Sequence, residues 1–386
     1  VVTKDEDRKK DEAANPELFF LCRQMKVLHL SSEKSWRGGE QQMAYLIEEL
    51  RHSGVQSQVA VRRNSAFEKW CREHDIPCFP LGFKNDFDFL SALSLMKYCR
   101  QENFDLIHLH SSRSHGIAVL AAALGNRIPL VLSRRVDFAP KGNLLTRWKY
   151  NHPAIKKVIC VSEKIKEIIS VSSVSPEKCV TVYDGIDLNR FAGRGQRGKL
   201  RNELGIAPDV KLIGNIAAIA PHKDYFTFLK TVKILSQKTN TKFVISGDGP
   251  LRSNIESEID AMDLRKEVFL LGFRNDLENV FADLDVLLYT SKEEGLGSTL
   301  LDAMAYGLAV VSTEAGGIPE IVKDGYNGLT APVGDATMLA SQVMRLLNDI
   351  SLREQLTGNA KEFVKQFSKS VMAEKTLVIY QELLHK

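Results

Sequence analysis

Short apolar runs rich in β-branched residues alternate with amphipathic stretches along most of the chain. The run VLHLSS at residues 27–32 is typical of a buried strand, whereas YFTFLKTVKILSQK at residues 225–238 has its apolar residues at helical spacing. Strands and helices that alternate in this way favour a parallel sheet with helices packed on both faces. The pattern therefore predicts an α/β protein built from doubly wound parallel sheets.

This alternation occurs twice, and a stretch of different composition separates the two series. The strand candidates are VLHLSS, QSQVAVR, PCFPL, DLIHLHS, PLVLSR and KVICVS in the first series, and VKLIGNIAAI, TKFVISGDG, EVFLLGF, DVLLYTS and LAVVST in the second. Between them, glycine and arginine interrupt the apolar periodicity at residues 189–205. We therefore predict two Rossmann-like domains, at residues 25–195 and 196–365, and a terminal helix at residues 366–386.

Composition places the chain among globular proteins. It has 386 residues, of which 44% are hydrophobic, enough to form the cores of two domains. The longest apolar candidate for a membrane span, GIAVLAAALG at residues 116–125, is shorter than the roughly 18 residues that a spanning helix needs. The amino terminus lacks the apolar centre of a signal peptide, so we predict a cytoplasmic protein. The six cysteines form neither a CxxC pair nor a zinc-binding set and are predicted to be reduced thiols.

Residues 1–24 are charged, lack periodicity and are predicted to form a disordered extension. Our hypothesis is that Met25 is the natural start of the protein, and the alternative is a genuine flexible extension. Amino-terminal sequencing of protein made from the native gene distinguishes the two.

Charge is distributed unevenly between the two predicted domains. Residues 26–190 contain 24 lysines and arginines against 17 aspartates and glutamates, a net charge of +7, whereas residues 191–386 contain 23 against 25, a net charge of −2. Many of the cations lie in residues 134–157, beside Trp148 and Tyr150. Two interpretations are open: a peripheral contact with an anionic membrane or a phosphorylated acceptor at the inner membrane face, or a solvated basic helix face. Nucleic acid is not an expected partner, because no recognition module for it is visible.

A candidate ligand site lies in the stretch KEEGLGSTLLDAMAYG, which begins at Lys292. It connects the strand DVLLYTS to a helix pattern, so the turn lies at the carboxyl end of a parallel sheet. The first N–H groups of such a helix have no intrahelical partner and favour a phosphate or diphosphate. Gly295 and Gly297 allow a ligand to approach the backbone closely. Because Glu294 and Asp302 lie about two helical turns apart, both can face one crevice, and together these features fit a sugar nucleotide.

Other short motifs accompany this one along the chain, and they are interpreted together. They are, in order, RGGEQQ, DLIHLHSSRSH, PHKDYFTFL, VYDGIDLNRF, GDGPLR, LLGFRND, EGLGSTLLDAMA, AGGIPEIV and DGYNGLTAPVGD. This ordered set resembles the retaining glycosyltransferases of family four, from about Met25 to the end of the chain. The resemblance implies the GT-B fold, in which two Rossmann-like domains face each other across a cleft. It also implies that the first domain binds the acceptor, that the second binds the nucleotide sugar, and that the terminal helix crosses back to the first domain.

The resemblance implies roles for three side chains of the second domain. Glu294 is expected to bind hydroxyls of the donor sugar, and Asp302 stands where the family usually has a glutamate that binds the ribose. Lys223 is expected to assist in holding the diphosphate. The family usually has an arginine five residues before this lysine, whereas this chain has Ala218, so donor binding depends more on Lys223 or on a cation from elsewhere.

The remaining donor-binding candidates of the second domain are Gly297, Ser298, Thr299, Phe273, Arg274 and Gly247. The backbone N–H groups of the first three are expected to hold the diphosphate. The backbone around Phe273 and Arg274 is expected to meet the base.

In the first domain, the candidate for contacting the donor sugar belongs to a pair of histidines. His108 and His110 alternate along a strand and face the same side of the sheet, with His110 at its carboxyl end. A structural histidine is the alternative, but the resemblance implies that His110 contacts the donor sugar near the reacting carbon. It also implies that Gly38 and Gly39 let a loop approach the diphosphate and the acceptor. Three further candidates for binding an acceptor or an anion are Arg113, Arg134 and Arg135.

The expected reaction is transfer of a sugar, with UDP-sugar as the favoured donor, to a hydroxyl of a glycolipid or polysaccharide precursor. The resemblance implies retention of the anomeric configuration. Negative charge that develops on the leaving diphosphate is expected to be stabilised by Lys223 and by helix N–H groups. His110, Glu294 and Lys223 are therefore the catalytic candidates. Neither a metal ion nor another cofactor is expected, because no DxD-type site is required by the spacing.

Several alternatives are weighed against this interpretation. One alternative is that Thr299 and Asp302 form only a capping box in a structural loop. A dehydrogenase is disfavoured because GDGPLR has Arg252 where a dinucleotide fingerprint needs its third glycine, and a glycosidase because nothing places Glu294 and Asp302 on either side of one bond. A sugar-nucleotide epimerase of GT-B architecture and a non-catalytic sugar-nucleotide-binding protein remain as alternative functions.

Overall fold

The computed structural model describes residues 25–384 except residues 141–142, 173 and 192–194, so the predicted extension at residues 1–24 lies outside the described part. The described chain forms two compact units. The first contains the chain up to Val161, Lys166–Gly185 and the chain from Lys369 onward, and the second contains Ser162–Ile165 and Ile186–Ser368. The main change between the units falls at Gly185 and Ile186, whereas the sequence placed it at residues 195 and 196.

The first unit is built on a parallel sheet of seven strands in the order β3-β2-β1-β4-β5-β6-β7. Its strands are β1 (Lys26–Ser31), β2 (Gln56–Arg62), β3 (Cys78–Leu81), β4 (Leu106–Leu109), β5 (Leu130–Arg134), β6 (Ile155–Cys160) and β7 (Cys179–Thr181). The helices that follow these strands are α1 (Gly38–His52), α2 (Ala66–Glu73), α3 (Phe89–Glu102), α4 (Ser112–Ala123), α5 (Leu144–Asn151) and α6 (Glu163–Ser172).

The second unit repeats the design with a parallel sheet of six strands in the order β10-β9-β8-β11-β12-β13. Its strands are β8 (Lys211–Ile216), β9 (Thr241–Ser246), β10 (Val268–Gly272), β11 (Val286–Tyr289), β12 (Ala309–Thr313) and β13 (Leu329–Ala331). Its helices are α7 (Lys199–Leu204), α8 (Tyr225–Ser236), α9 (Arg252–Ala261), α10 (Leu277–Asp283), α11 (Ser298–Tyr306), α12 (Ile318–Ile321), α13 (Ala336–Asn348) and α14 (Ile350–Phe363).

Both sheets reverse their strand order at one point. In the first unit β1 pairs with both β2 and β4, and in the second β8 pairs with both β9 and β11, all in parallel. Open sheets of this kind bind ligands outside the carboxyl ends of the strands at such a switch point. The predicted fold class, two doubly wound parallel sheets, is therefore confirmed, and each unit has one position where a ligand site is expected.

The last helix belongs to the first unit. A 3₁₀ turn at Val364–Phe367 precedes it, and the helix α15 runs over Lys369–Leu384, so it begins later than the predicted residue 366. Its Tyr380 lies in the same apolar cluster as Tyr45 of α1. The terminal helix is thus part of a core that is formed by residues far from it in sequence.

None of the helices in the described ranges combines the length and the apolar character needed to cross a membrane.

Candidate active site

Three loops of the second unit meet at the carboxyl ends of β8, β11 and β12. The 3₁₀ turn Pro221–Lys223 follows β8 and precedes α8, whose first N–H groups are capped by Asp224. The backbone N–H of Lys292, in the loop after β11, donates to the carbonyl oxygen of His222 at 2.9 Å. The Thr290 hydroxyl donates to the carbonyl oxygens of Lys223 and Asp224, both at 3.2 Å. The lysine segment and the glycine-rich turn, predicted separately, are therefore neighbours.

Lys223, Tyr289 and Glu294 form one connected group in this place. The Lys223 ammonium donates to the Tyr289 hydroxyl at 2.8 Å and forms an ion pair with Glu294 Oε2. The Tyr289 hydroxyl in turn donates to Glu294 Oε2 at 2.9 Å. The Lys223 and Glu294 side chains are largely buried, so their charges face each other with little screening by water.

Burial and mutual contact set the protonation states of this group. Burial by itself lowers the pKa of Lys223, but the contacts with Tyr289 and Glu294 outweigh it and raise that pKa above its usual value. Burial, followed by the charge of Glu294, raises the pKa of Tyr289 to about 12. At neutral pH the group therefore holds an ammonium and a neutral phenol, both of which donate to Glu294.

Glycines hold the backbone of Glu294 in place. The N–H of Gly317 donates to the carbonyl oxygen of Glu294 at 2.9 Å. Gly316 has a φ of +52°, and a Cβ atom there would lie 2.0 Å from the same carbonyl oxygen. The loop AGGIPEIV after β12 thus packs so closely on the turn that a side chain at Gly316 would displace Glu294.

The turn runs into α11 through Gly297, which has a φ of +99° and caps the helix without a side-chain hydrogen bond. The alternative in which Thr299 and Asp302 form a capping box is therefore not what the structure contains. The N–H groups of Ser298 and Thr299, in the first helical turn, have no acceptor within the helix. Gly297, Ser298 and Thr299 are arranged as an anion-binding site requires.

Asp302 lies further along α11 and pairs with a residue that the sequence did not suggest. Arg190 Nη1 lies 3.5 Å from Asp302 Oδ2. Burial raises the pKa of Asp302 to about 6, with Arg190 opposing this shift and Asp187 adding to it. This carboxyl group therefore changes its protonation state just below neutral pH.

The predicted base-binding segment follows β10. The Phe273 side chain is 72% exposed, whereas the Arg274 guanidinium is held by Asp276 at 2.8 Å and by Glu203 at 2.7 Å. The Arg274 side chain is thus occupied, which leaves its backbone for a ligand. Gly247, at the end of β9, has a φ of +149°, and a Cβ atom there would lie 1.9 Å from the carbonyl oxygen of Ala217.

The first unit contains a cluster of histidines at its switch point. His29 of β1 is paired in register with His108 of β4, and His110 follows β4 directly. His29 Nδ1 and His110 Nε2 lie 3.1 Å apart, and the rings of His108 and His110 pack with centroids 4.1 Å apart and planes inclined by 38°. Both ring nitrogens of His108 have hydroxyl partners, Tyr380 at 2.5 Å and Ser133 at 2.8 Å.

Burial keeps these rings neutral. It lowers the pKa of His29 to about 3 and, helped by the neighbouring charges, moves the pKa values of His108 and His110 well below the usual range. Neutral histidines close together are a potential metal site, and one ring nitrogen from each lies within 4.8 Å of the others. However, both ring nitrogens of His108 already have hydroxyl partners, and the Nε2 of His110 is paired with His29. The geometry favours a hydrogen-bonded cluster.

The remaining candidates of the first unit differ in how much open space or how many unpaired polar groups they offer to a ligand. Gly38 and Gly39 begin α1, and a Cβ atom at either would meet nothing within 4 Å among the described residues. Arg113 is exposed in α4. Arg134 donates to the Tyr150 hydroxyl at 3.2 Å, and its guanidinium also binds the Phe138 carbonyl oxygen.

Arg135 is held on one side only. Its Nε donates to Asp184 Oδ1 at 3.1 Å, while its buried Nη1 has no partner among the described residues. Burial raises the pKa of Asp184, and Arg135 opposes that shift. Arg134 Nε is likewise buried and has no partner among the described residues, so both Arg134 and Arg135 combine burial with an unused N–H group.

Comparison with known proteins decides what these two units are. A model of the glycosyl transferases group 1 matches residues 196–363, and a model of glycosyltransferase family 4 matches residues 36–190. The chain belongs to the family 4 glycosyltransferases. The predicted resemblance is confirmed, and the lysine segment, the glycine-rich turn and the histidine strand all lie inside the matched ranges.

Two curated glycosyltransferases of this kind show the level of similarity. N-acetyl-alpha-D-glucosaminyl L-malate synthase of Bacillus anthracis is 26% identical over 313 residues, which cover 77% of this chain and 80% of the relative. UDP-Gal:alpha-D-GlcNAc-diphosphoundecaprenol alpha-1,3-galactosyltransferase of Escherichia coli is also 26% identical, with the same coverage.

Solved structures support the fold. The crystal structure of Anabaena Alr3699/HepE in complex with UDP and glucose matches with a TM-score of 0.82 at 21% identity, and the match covers 92% of this chain and 99% of that one. At this identity the likeness concerns the backbone, which is the GT-B fold of two Rossmann-like units.

Several residues of this glycosyltransferase's candidate site were not found from the sequence. Tyr289 ends the strand run DVLLYTS at its carboxyl end, and that position was a signal that could have marked it. His29 likewise lies in a strand next to the histidine strand. Arg190 and Tyr380 gave no signal, because each meets its partner across more than 100 residues of chain.

Proposed function

We propose that this glycosyltransferase transfers a sugar from a nucleoside-diphosphate sugar, with UDP-sugar as the favoured donor, to a hydroxyl of a glycolipid or polysaccharide precursor. The proposal includes retention of the anomeric configuration and independence of metal ions. The observation that carries it is the group of Lys223, Tyr289 and Glu294 beside the amino-terminal turn of α11. It offers a cation, hydroxyl-binding oxygens and backbone N–H groups within one unit.

Each part of this group meets a different part of a donor. The diphosphate would take the N–H groups of Gly297, Ser298 and Thr299, and the Lys223 ammonium would neutralise charge on the leaving oxygen. Glu294 would accept hydrogen bonds from sugar hydroxyls. The ion pair between Lys223 and Glu294 then has to open as the donor binds, because both groups gain a ligand.

His110 would contact the sugar from the first unit, through the one ring nitrogen that it has free. His110 Nδ1 is buried and has no partner among the described residues. A neutral imidazole can either donate or accept there, so it suits a hydroxyl of the sugar. Arg134 and Arg135, with their unused Nε and Nη1 groups, would serve as anion or acceptor contacts.

The choice of a UDP-sugar and a lipid-linked acceptor rests on relatives. The Escherichia coli relative is named for UDP-Gal and for a diphosphoundecaprenol acceptor, and the Anabaena structure contains UDP. The departures Ala218 and Asp302 are the features of this chain that differ from the family pattern, so donor affinity is the property to measure first.

A peripheral contact with anionic lipid is part of the same proposal, and exposed apolar residues of the first unit support it. Those on α5 and on the chain before and within α3 are Phe87, Phe89, Leu90, Leu144, Leu145 and Trp148. Leu144 is 85% exposed and Leu90 69%. An ion pair of 3.0 Å between Lys149 and Asp86 joins the two segments. Exposed Arg147 lies among them, so apolar and cationic groups share one surface, as interfacial binding requires.

Calorimetric titration with UDP, GDP, ADP and NAD, with and without magnesium, tests the donor proposal. We expect one nucleoside diphosphate to bind without metal, and Lys223→Ala to weaken that binding by at least about tenfold, since a buried charged contact is lost. Lys230→Ala is the control, because Lys230 is an exposed lysine of α8. If no nucleotide binds, a non-catalytic protein with a decayed donor site replaces the transferase proposal. Turnover of the donor without any acceptor favours the epimerase.

Sedimentation with vesicles tests the membrane contact. We expect binding to vesicles of phosphatidylcholine with phosphatidylglycerol, weaker binding at high salt, and loss of binding in Leu144→Ser, Trp148→Ser. Val378→Ser is the control, since Val378 is an exposed apolar residue of α15. Equal binding to vesicles with and without anionic lipid contradicts this part of the proposal.

A further inference from the structure

The last helix contributes a hydroxyl group to the histidine cluster. The Tyr380 hydroxyl lies 2.5 Å from His108 Nδ1, and the two rings meet edge to face at 89° with centroids 5.7 Å apart. Tyr380 is fully buried, and 272 positions of sequence separate it from His108. On the other side of the imidazole, Ser133 Oγ of β5 lies 2.8 Å from His108 Nε2.

These two contacts determine the orientation of the His108 ring. A neutral imidazole has one donor and one acceptor nitrogen, and a hydroxyl group can serve as partner to either. Both nitrogens are therefore satisfied in either neutral tautomer. Any rotation of the ring would leave two buried polar atoms without partners, so the ring is held in one place.

His110 depends on that ring for its own position. Its ring packs against that of His108 with centroids 4.1 Å apart and planes inclined by 38°, and the only hydrogen-bonding partner of its side chain among the described residues is His29, at 3.1 Å. The rings of His29 and His110 are inclined by 28°, with centroids 5.3 Å apart. A shift of the His108 ring would remove the surface on which His110 rests and would move its free Nδ1.

We propose that Tyr380 is a positioning residue for sugar transfer, which holds His108 and thereby fixes the His110 ring. The inference rests on the proposed function, in which His110 contacts the donor sugar. Tyr380 itself touches neither donor nor acceptor in this proposal. The terminal helix then contributes to the function of the site as well as to the apolar core.

Steady-state kinetics of Tyr380→Phe tests the proposal, because this change removes the hydroxyl group and keeps the ring. We expect kcat to fall roughly tenfold, within the loss of up to about 100-fold that a misplaced group can cause, and KM for the donor to stay within about twofold. The control is Thr376→Val, which removes another buried hydroxyl from the same helix; Thr376 Oγ1 bonds only to the carbonyl oxygen of Met372, at 2.8 Å, among the described residues. It should keep the kcat of the unaltered protein.

Ser133→Ala is the second variant and covers the case in which Tyr380→Phe does not fold. It removes the other partner of His108 and should show the same split between kcat and KM. Folded Tyr380→Phe or Ser133→Ala protein with unchanged kcat overturns the proposal, and so does an equal loss in Thr376→Val.

A readout that does not depend on transfer separates this inference from the proposed function. ¹⁵N-histidine NMR of the full chain reports ring tautomers, and the His110 signals are assigned by their loss in His110→Asn. We expect Tyr380→Phe to shift the His110 nitrogen signals, whereas Thr376→Val should not. Unchanged His110 signals overturn the positioning role, while absence of transfer in the unaltered protein overturns the proposed function alone.

Discussion

At the scale of single residues, the ion pair between Lys223 and Glu294 makes the two ends of the donor site interdependent. In Glu294→Gln the Lys223 ammonium loses its counter-charge and is free to bind a diphosphate, while the sugar loses a strong acceptor. We therefore expect UDP affinity to be retained or increased and transfer to fall by at least about 100-fold, the loss typical of one transition-state contact. Calorimetry and a transfer assay measure the two effects on the same protein.

Glu293→Gln is the matched control, because Glu293 is the exposed neighbour of Glu294. It should leave both UDP binding and transfer unchanged. Loss of UDP binding in Glu294→Gln, to the level expected for Lys223→Ala, would contradict the separate roles given to the two residues.

Asp302 gives a residue-scale prediction about pH. Its pKa of about 6 means that the carboxyl group is ionised above pH 6 and protonated below it. An ionised carboxylate is the better acceptor for ribose hydroxyls, so UDP affinity should fall as the pH is lowered through 6. In Asp302→Asn, affinity should be lower at pH 7.5 and the fall toward pH 5 should be smaller, because only protonation of the terminal phosphate of UDP then remains. Asp302→Glu restores the residue that the family usually has and should keep the affinity at pH 7.5. A titration curve for UDP that is flat between pH 7 and pH 5 in the unaltered protein contradicts the assignment.

At the scale of elements, the loop after β12 determines where the donor-binding turn lies. Gly316→Ala adds a Cβ atom 2.0 Å from the carbonyl oxygen of Glu294 at a φ of +52°, so the loop and the turn have to separate. We expect a loss of unfolding free energy of more than about 2 kcal/mol and a large loss of UDP affinity. Chemical denaturation and calorimetry measure these two quantities.

Gly325→Ala separates backbone strain from the close contact. Gly325 has a φ of +70°, but a Cβ atom there would meet nothing within 4 Å among the described residues. Gly325→Ala should lower the unfolding free energy by about 1 kcal/mol, because alanine is strained at a positive φ, and it should leave UDP affinity intact. Equal effects of the two substitutions would show that the contact with Glu294 is unimportant.

The elements also show which parts of the fold and of the site could be predicted from the sequence. Buried parallel strands are continuous apolar runs, so the strands from β1 to β6 and from β8 to β12 were all predicted near their observed positions. β7 and β13 have three residues each, too few to show any periodicity, and they were missed. The predicted site residues of the second unit followed from loop motifs. The pairing of Asp302 with Arg190 did not, because an ion pair between distant residues leaves no pattern in the chain.

At the scale of the whole molecule, the buried histidines should make the first unit less stable in acid. The buried histidines of the first unit, His29 and His115 among them, have pKa values of about 3, well below that of an unfolded histidine. The unfolded chain then binds more protons, so the stability of this unit is full above pH 6.5 and declines as the pH falls toward 3. Each such histidine contributes a slope of about 1.4 kcal/mol per pH unit. In the second unit Asp302 has a pKa raised to about 6 and Asp276 a pKa lowered to about 2, so their contributions to stability change with pH in opposite directions.

The tryptophans make this pH dependence measurable, because the chain has three, Trp36, Trp70 and Trp148, and all lie in the first unit. We expect thermal unfolding followed by tryptophan fluorescence to move to lower temperature between pH 7 and pH 5. His115→Gln should make the fluorescence-detected pH slope shallower whatever its effect on absolute stability. A fluorescence transition that is independent of pH over this range would mean that the histidine cluster is already accessible to protons in the folded protein, and the buried, hydrogen-bonded arrangement on which the roles of His110 and Tyr380 depend would be wrong.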